Sequence, residues 1–144
     1  MSDAPIDLPA WPAGTVTFLA TGAGIPHVIP VSAALRAGPA RIVLALAARR
    51  ESLARLRMDT RVALAILAAG DIALTAEGRA RVVADPLPGA EGVVGVELTI
   101  DRVQAHGNRH FAVTDGVQWH WADPESERRD AAVRTALGAL ATRR

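Results

Sequence analysis

The chain has 144 residues, half of them hydrophobic, and 16 basic residues, all Arg, against 15 acids, for a formal charge of +1. That length suits one domain, taken as residues 1–144, and Arg scattered along the chain argues against a nucleic-acid partner, which needs a concentrated basic stripe. With no Cys, disulfides, thiolate chemistry and cysteine metal sites are excluded.

The first residues, Met1-Ser2-Asp3-Ala4-Pro5, lack the basic and then apolar pattern of a signal peptide. Apolar runs are broken by Arg, Asp or Gly short of membrane-spanning length. A cytoplasmic protein with no membrane partner is the expectation. Aromatic residues are few (Trp11, Phe18, Phe111, Trp119, Trp121), so the core must be aliphatic.

Period-two alternation predicts strands along most of the chain. Thr15 to Ala20 is expected to turn Val16 and Phe18 inward. A glycine turn, Thr21 to Gly24, leads into an extended stretch from Pro26 to Leu35. Pro30 within it argues against an interior ladder position and suggests a bulge or interruption there. After the turn Ala37-Gly38-Pro39, Arg41 to Ala47 is expected to bury Ile42, Leu44 and Leu46. Glu51 to Met58 reads as a helix with Leu53 and Leu56 on one face. Arg61 to Leu67 follows, with Val62, Leu64 and Ile66 inward, and then Ile72 to Val83 with Ile72, Leu74, Ala76, Ala80 and Val82 inward. Asp85 to Gly89 is a loop. Val94 to Val103 is expected to bury Val96, Leu98 and Ile100 and to expose Glu97, Thr99 and Asp101. Phe111 to Val113 and Val117 to Trp121 flank an Asp-Gly pair, a hairpin signal. Last comes a helix capped by Asp123 with Pro124 at its first position. It carries Val133, Leu137 and Leu140 at helical spacing, and Arg143 and Arg144 suit its negative end. About seven strands, a short internal helix and a C-terminal helix make a mostly β domain, and closing the sheet into a barrel removes exposed edges.

Several chemistries can be weighed from residue type and spacing. His106 and His110 would align on a helix, but Gly107-Asn108 makes a turn there, so no metal site is expected. Ser32 and His27 come with no nucleophile elbow. Gly22-x-Gly24 is followed by Ile25-Pro26 and not by a helix, so it is no dinucleotide fingerprint. Trp119 and Trp121 would share one strand face, as core or as interface. Arg49 and Arg50 put positive charge at the positive end of a helix dipole, a conflict that a bound anion would remove. No general acid or base stands out, so the catalytic residues are unassigned.

The ordered set Pro26-His27-Val28-Ile29-Pro30-Val31-Ser32, then Arg49-Arg50-Glu51-Ser52-Leu53, then Arg55-Leu56-Arg57-Met58-Asp59-Thr60-Arg61-Val62, with Glu77-Gly78-Arg79-Ala80 beyond, resembles the pyridoxamine 5′-phosphate oxidase-like family of flavin-binding split β-barrels. The likeness runs from about Thr15 to Trp121. It implies an FMN-binding split barrel and oxidoreductase chemistry on a small molecule. It also implies a homodimer with the cofactor at the subunit interface. His27, Val28, Ile29, Pro30, Val31 and Ser32 would then meet the ring and ribityl chain. Ala47 and Ala48 would lie beside the phosphate, held by Arg49, Arg50 and Ser52 with Leu53 adjacent. The family often has Lys at the position of Ser52 and Asn at that of Arg55, and this chain lacks the substrate motif with which true pyridoxamine phosphate oxidases end. Rival implications on the same fold are a deazaflavin-dependent reductase, a non-enzymatic flavin- or haem-binding protein, and a barrel that has lost its cofactor.

Overall fold

The computed structural model describes residues 5–143. The expectations for Met1 to Ala4 and for Arg144 lie outside those residues. Seven strands and two helices follow in the order β1 (Thr17–Thr21), β2 (His27–Val31), β3 (Ala34–Gly38), β4 (Arg41–Ala47), α1 (Glu51–Met58), β5 (Arg61–Ala68), β6 (Ile72–Ala84), β7 (Val93–Ala105) and α2 (Pro124–Ala141). The strands form one antiparallel sheet in the order β2-β1-β5-β6-β7-β4-β3. Its first and last members, β2 and β3, are separated in sequence only by Ser32 and Ala33. The sheet must therefore curl until its ends approach. Among the described residues no helix is long and apolar enough to cross a membrane.

The inner face collects Leu19, Ile29, Leu44, Leu64, Ile66 and Leu98 into one core, joined by Leu53 and Leu56 of α1. A second, smaller core lies outside the sheet. There α2 sets Ala136, Leu137 and Leu140 against Val43 of β4 and Leu87 of the β6–β7 loop. Strand β4 is thus covered on both faces, which explains its unbroken Ile42-Val43-Leu44. Asp123 caps α2 as expected, its carboxylate accepting from the Ser126 N–H at 2.7 Å.

Three expectations are corrected. In β1 the buried side chains are Thr17, Leu19 and Thr21, so Val16 and Phe18 lie on the outer face, half-exposed. Leu19 pairs with Leu64 across the ladder, and the Thr17 hydroxyl donates to the Val31 carbonyl at 2.7 Å, so threonine is tolerated inside. The hairpin from Phe111 to Trp121 does not form. Residues 106–122 run as an arm without regular structure apart from a single isolated bridge, Asn108 to Phe111. Asp71, at φ 58° in the β5–β6 turn, takes Val113 by two hydrogen bonds of 2.8 and 3.1 Å, and the Asp115 carboxylate accepts from the Gly116 N–H. Trp119 and Trp121 accordingly share no strand face. They pack edge to face at 5.1 Å, each more than one-third exposed. Third, Glu97 is not exposed: its side chain is 13 % accessible, clamped by Arg41 at 2.7 Å and Arg81 at 3.1 Å. Arg41 also donates to the carbonyls of Leu140 and Ala141, filling at the end of α2 the role expected of Arg143.

Burial alone pushes the Glu97 carboxyl up, but the hydrogen bonds and charges of Arg41 and Arg81 outweigh it and hold the group below its ordinary value. A carboxylate depressed in the folded state stabilises the protein above its unfolded value, and that contribution fades as pH falls through the folded one. Glu97→Gln is therefore expected to flatten the loss of thermal stability on acidification below the ordinary glutamate range, measured as Tm against pH. Gly78 sits where β6 bulges against β7, and any side chain there would collide with the Thr99 carbonyl. Gly78→Ala is expected to cost about 1–3 kcal/mol in urea denaturation.

Candidate functional site

The segment leaving β4 turns sharply into α1. Ala48 N–H donates to the Gly92 carbonyl at 2.8 Å and Arg50 N–H to the Ala47 carbonyl at 3.0 Å. Arg50 occupies the N-cap position in extended conformation and offers no side-chain cap. Ala48, Arg49 and Arg50 are exposed, and neither guanidinium makes a hydrogen bond or ion pair among the described residues. Two free cations and an uncapped helix start therefore share one place on the surface.

Strand β2 lies beside it, at the edge of the sheet, with β1 as its only ladder neighbour. This is why Pro30 is tolerated within the strand. The expected interruption comes two residues later, at Ser32–Ala33. The backbone there is not left open: the Ser32 carbonyl accepts from Arg134 at 3.1 Å and the Ala33 carbonyl from the Ala45 N–H at 3.0 Å. Any free main-chain groups belong to the open edge of β2.

The twelve residues singled out from sequence divide by direction. Val28, Pro30, Ala48, Arg49 and Arg50 face outward, with His27, Ser32 and Ala47 half-buried. Ile29, Val31, Ser52 and Leu53 point into the protein. His27 links the two segments. Its Nε2 lies 3.0 Å from the Ser52 Oγ, and its Nδ1 lies 3.1 Å from the Glu51 carboxylate. Arg55 takes the same carboxylate at 3.0 Å and donates to the carbonyls of Ala23 and Ile25, fixing the β1–β2 turn to α1. Glu51 and Arg55 were not read as site residues, although their i, i+4 spacing marks a helical ion pair. Thr21, directly opposite His27 in the ladder, was also missed.

The outer face of β2, β1 and β5 forms an apolar wall. Phe18 stands between Pro30 and Ala65, and Ala20 between Val28 and Ala63, with Leu67 beyond. Val28 is 58 % and Leu67 49 % exposed. Helix α2 covers the corresponding face of β3 and β4, but among the described residues no helix packs on this wall. In one chain the wall and the arginines make an open surface; a cavity of about 600 Å³ lies elsewhere, lined by Arg41, Arg81, Val82, Val83, Glu97 and Leu140 with Arg143. No cluster of three or more His, Asp or Glu suited to a metal ion occurs among the described residues.

A curled antiparallel sheet plugged by a short helix, with a C-terminal helix laid on one outer face, is a split β-barrel. No family model matches the chain, and no curated protein does. Solved structures do. A pyridoxamine 5′-phosphate oxidase candidate from Lactobacillus delbrueckii is 21 % identical over 63 % of this chain and 84 % of its own, at TM-score 0.54. A FAD-binding protein from Mesorhizobium loti is 16 % identical over 63 % and 84 %, at 0.52. An F420 reductase is 14 % identical over 63 % and 90 %, at 0.54. These likenesses establish the split-barrel fold that the ordered motifs implied.

Arg55 ties α1 to the β1–β2 turn through two carbonyls, so Arg55→Ala is expected to cost about 1–3 kcal/mol and to speed amide exchange from Gly22 to His27. Arg55→Lys should fail to restore protection, because an ammonium cannot reproduce the planar fork. Hydrogen exchange by mass spectrometry checks both.

Proposed function

We propose that this protein is an FMN-binding oxidoreductase of the pyridoxamine 5′-phosphate oxidase type. It would act on a small organic molecule as a homodimer, with the cofactor between subunits. One observation carries the reading: two arginines without a partner among the described residues, at an uncapped helix start, stand next to an edge strand whose outer face opens an apolar wall.

Those parts fit the group. A phosphorylated flavin needs a cationic or dipolar seat for its phosphate, an apolar face for its ring and main-chain groups for the ring's polar edge. Arg49 and Arg50 can fork onto phosphate oxygens. Val28, Pro30 and Phe18 supply the face, and the open edge of β2 supplies donors and acceptors. Ser52, fully buried and bonded to His27, leaves phosphate contact to the arginines and the main chain. A bound flavin supplies the hydride and electron transfer, while the chain orients it and keeps water from one side. The second copy is argued from the same wall. From Ala63 to Leu67 on β5 and across Phe18, Ala20, Val28 and Pro30 it carries no charge, so a second copy can meet it about a two-fold axis without like-charge repulsion. Patches of this kind on soluble chains mark interaction sites.

Titration of FMN into the purified protein, followed by flavin fluorescence quenching, is expected to give a Kd of about 1 μM or tighter. The double variant Arg49→Ala/Arg50→Ala should weaken FMN about 10–100-fold and leave riboflavin nearly unchanged. No FMN binding at 100-fold that concentration, about 100 μM, would overturn the reading. Tighter binding of a deazaflavin in the same assay would move it to that cofactor. Light scattering is expected to report a dimer, and Phe18→Glu to yield a monomer with weakened FMN binding.

A further inference from the structure

The imidazole of His27 lies between two side chains of α1, 3.0 Å from the Ser52 hydroxyl and 3.1 Å from the Glu51 carboxylate. Ser52 is 0 % exposed, so its hydroxyl meets only neighbours inside the protein. A neutral imidazole admits one consistent orientation: Nδ1–H donates to Glu51, and Nε2 accepts from the Ser52 O–H. An imidazolium donates at both nitrogens, and the Ser52 proton must then turn elsewhere. Thr21 stands directly across the ladder from His27, and only 5 % of it is exposed. Its Oγ1 is buried without a hydrogen-bond partner among the described residues. Such a group is costly to leave unmatched. It is an unused hydroxyl on the same inner face of the sheet as His27.

The charges around the ring are Glu51 and Arg55 from α1, Arg49 and Arg50 from the β4–α1 turn, and the Asp59–Arg61 pair beside Gly22. Residues 22–26 of the β1–β2 turn add no titratable side chain. Glu51 is the first residue of α1 and follows Arg50 directly, so its carboxylate opposes an anion arriving at the arginines. A proton on His27 sets a second cation on that carboxylate, beside Arg55, and lessens the opposition. Anion and proton then favour each other's binding reciprocally.

We propose, resting on the phosphate reading above, that His27 is a positioning residue: it takes up a proton as a phosphate monoester binds at Arg49 and Arg50, through the chain Ser52–His27–Glu51–Arg55. The two departures from the family pattern, Ser52 and Arg55, are then the ends of one device.

FMN and riboflavin are titrated into the wild type and His27→Gln between pH 6 and 8. The variant carries the contribution of the FMN phosphate's own ionisation, so the ratio of the two Kd values isolates His27. For FMN the wild type should gain on the variant by about five-fold or more between pH 8 and pH 6, whereas the riboflavin ratio stays flat. FMN binding with parallel pH profiles in both proteins would end the proposal and leave the flavin reading standing. As a second probe, inorganic phosphate is added while the His27 ring is titrated by NMR, with the variant identifying its signals. Phosphate should move that titration to higher pH. If FMN fails to bind yet phosphate moves His27, the flavin reading falls and the linkage holds. If neither happens, both fall.

Discussion

Ser32 and Ala33 form the joint on which the architecture turns. The strands they connect are opposite ends of the sheet order, so the chain can place both only if the sheet rolls up. Arg134 holds that joint from outside, donating to the Ser32 carbonyl at 3.1 Å and to Asp130 at 2.6 Å. Helix α2 is thereby fixed over β3 and β4, and the same closure that makes an aliphatic interior leaves β2 as an edge.

From that closure follows an asymmetry of the outer surface. One half lies under α2, through Val43, Ala136, Leu137 and Leu140. The other half, around Phe18 and Ala65, has the same apolar character without a covering helix. The candidate site sits on the boundary of the uncovered half. Its cations come from the turn after β4 and its wall from β1 and β2. His27, bonded to Ser52, keeps these separate pieces in register. Stability and ligand recognition therefore share the same few bonds.

Most of this was legible from residue order. The strands β4 to β7 and both helices fall where period-two and helical spacing put them, because their inward residues are mostly Ile, Leu, Val and Ala. β1 was misread because its inward positions are threonines. One of these hydroxyls finds a carbonyl, and that compensation depends on the tertiary fold. The Asp-Gly near residue 115 failed as a hairpin because Asp71, more than forty residues away, captures the adjacent backbone. At the site, Arg49 and Arg50 were readable as free charge at a helix start. The inward turn of Ser52 and the enlistment of Glu51 and Arg55 arise from the packing of α1 under the sheet and its bonds to His27 and the β1–β2 turn, which a linear pattern does not encode.

The arm from residue 106 to 122 carries two of the three tryptophans, and the chain contains no tyrosine. It is anchored through Asp71 and through the Trp119 indole, which donates to the Gly14 carbonyl at 2.8 Å. Intrinsic ultraviolet emission is therefore dominated by a peripheral strap and not by the barrel. Trp11, donating to the Ala34 carbonyl, is the single indole lodged against the closed sheet. A melting curve followed by this emission would report chiefly on the strap, whereas circular dichroism would follow the barrel. Separation of the two curves would measure how independently the strap lets go.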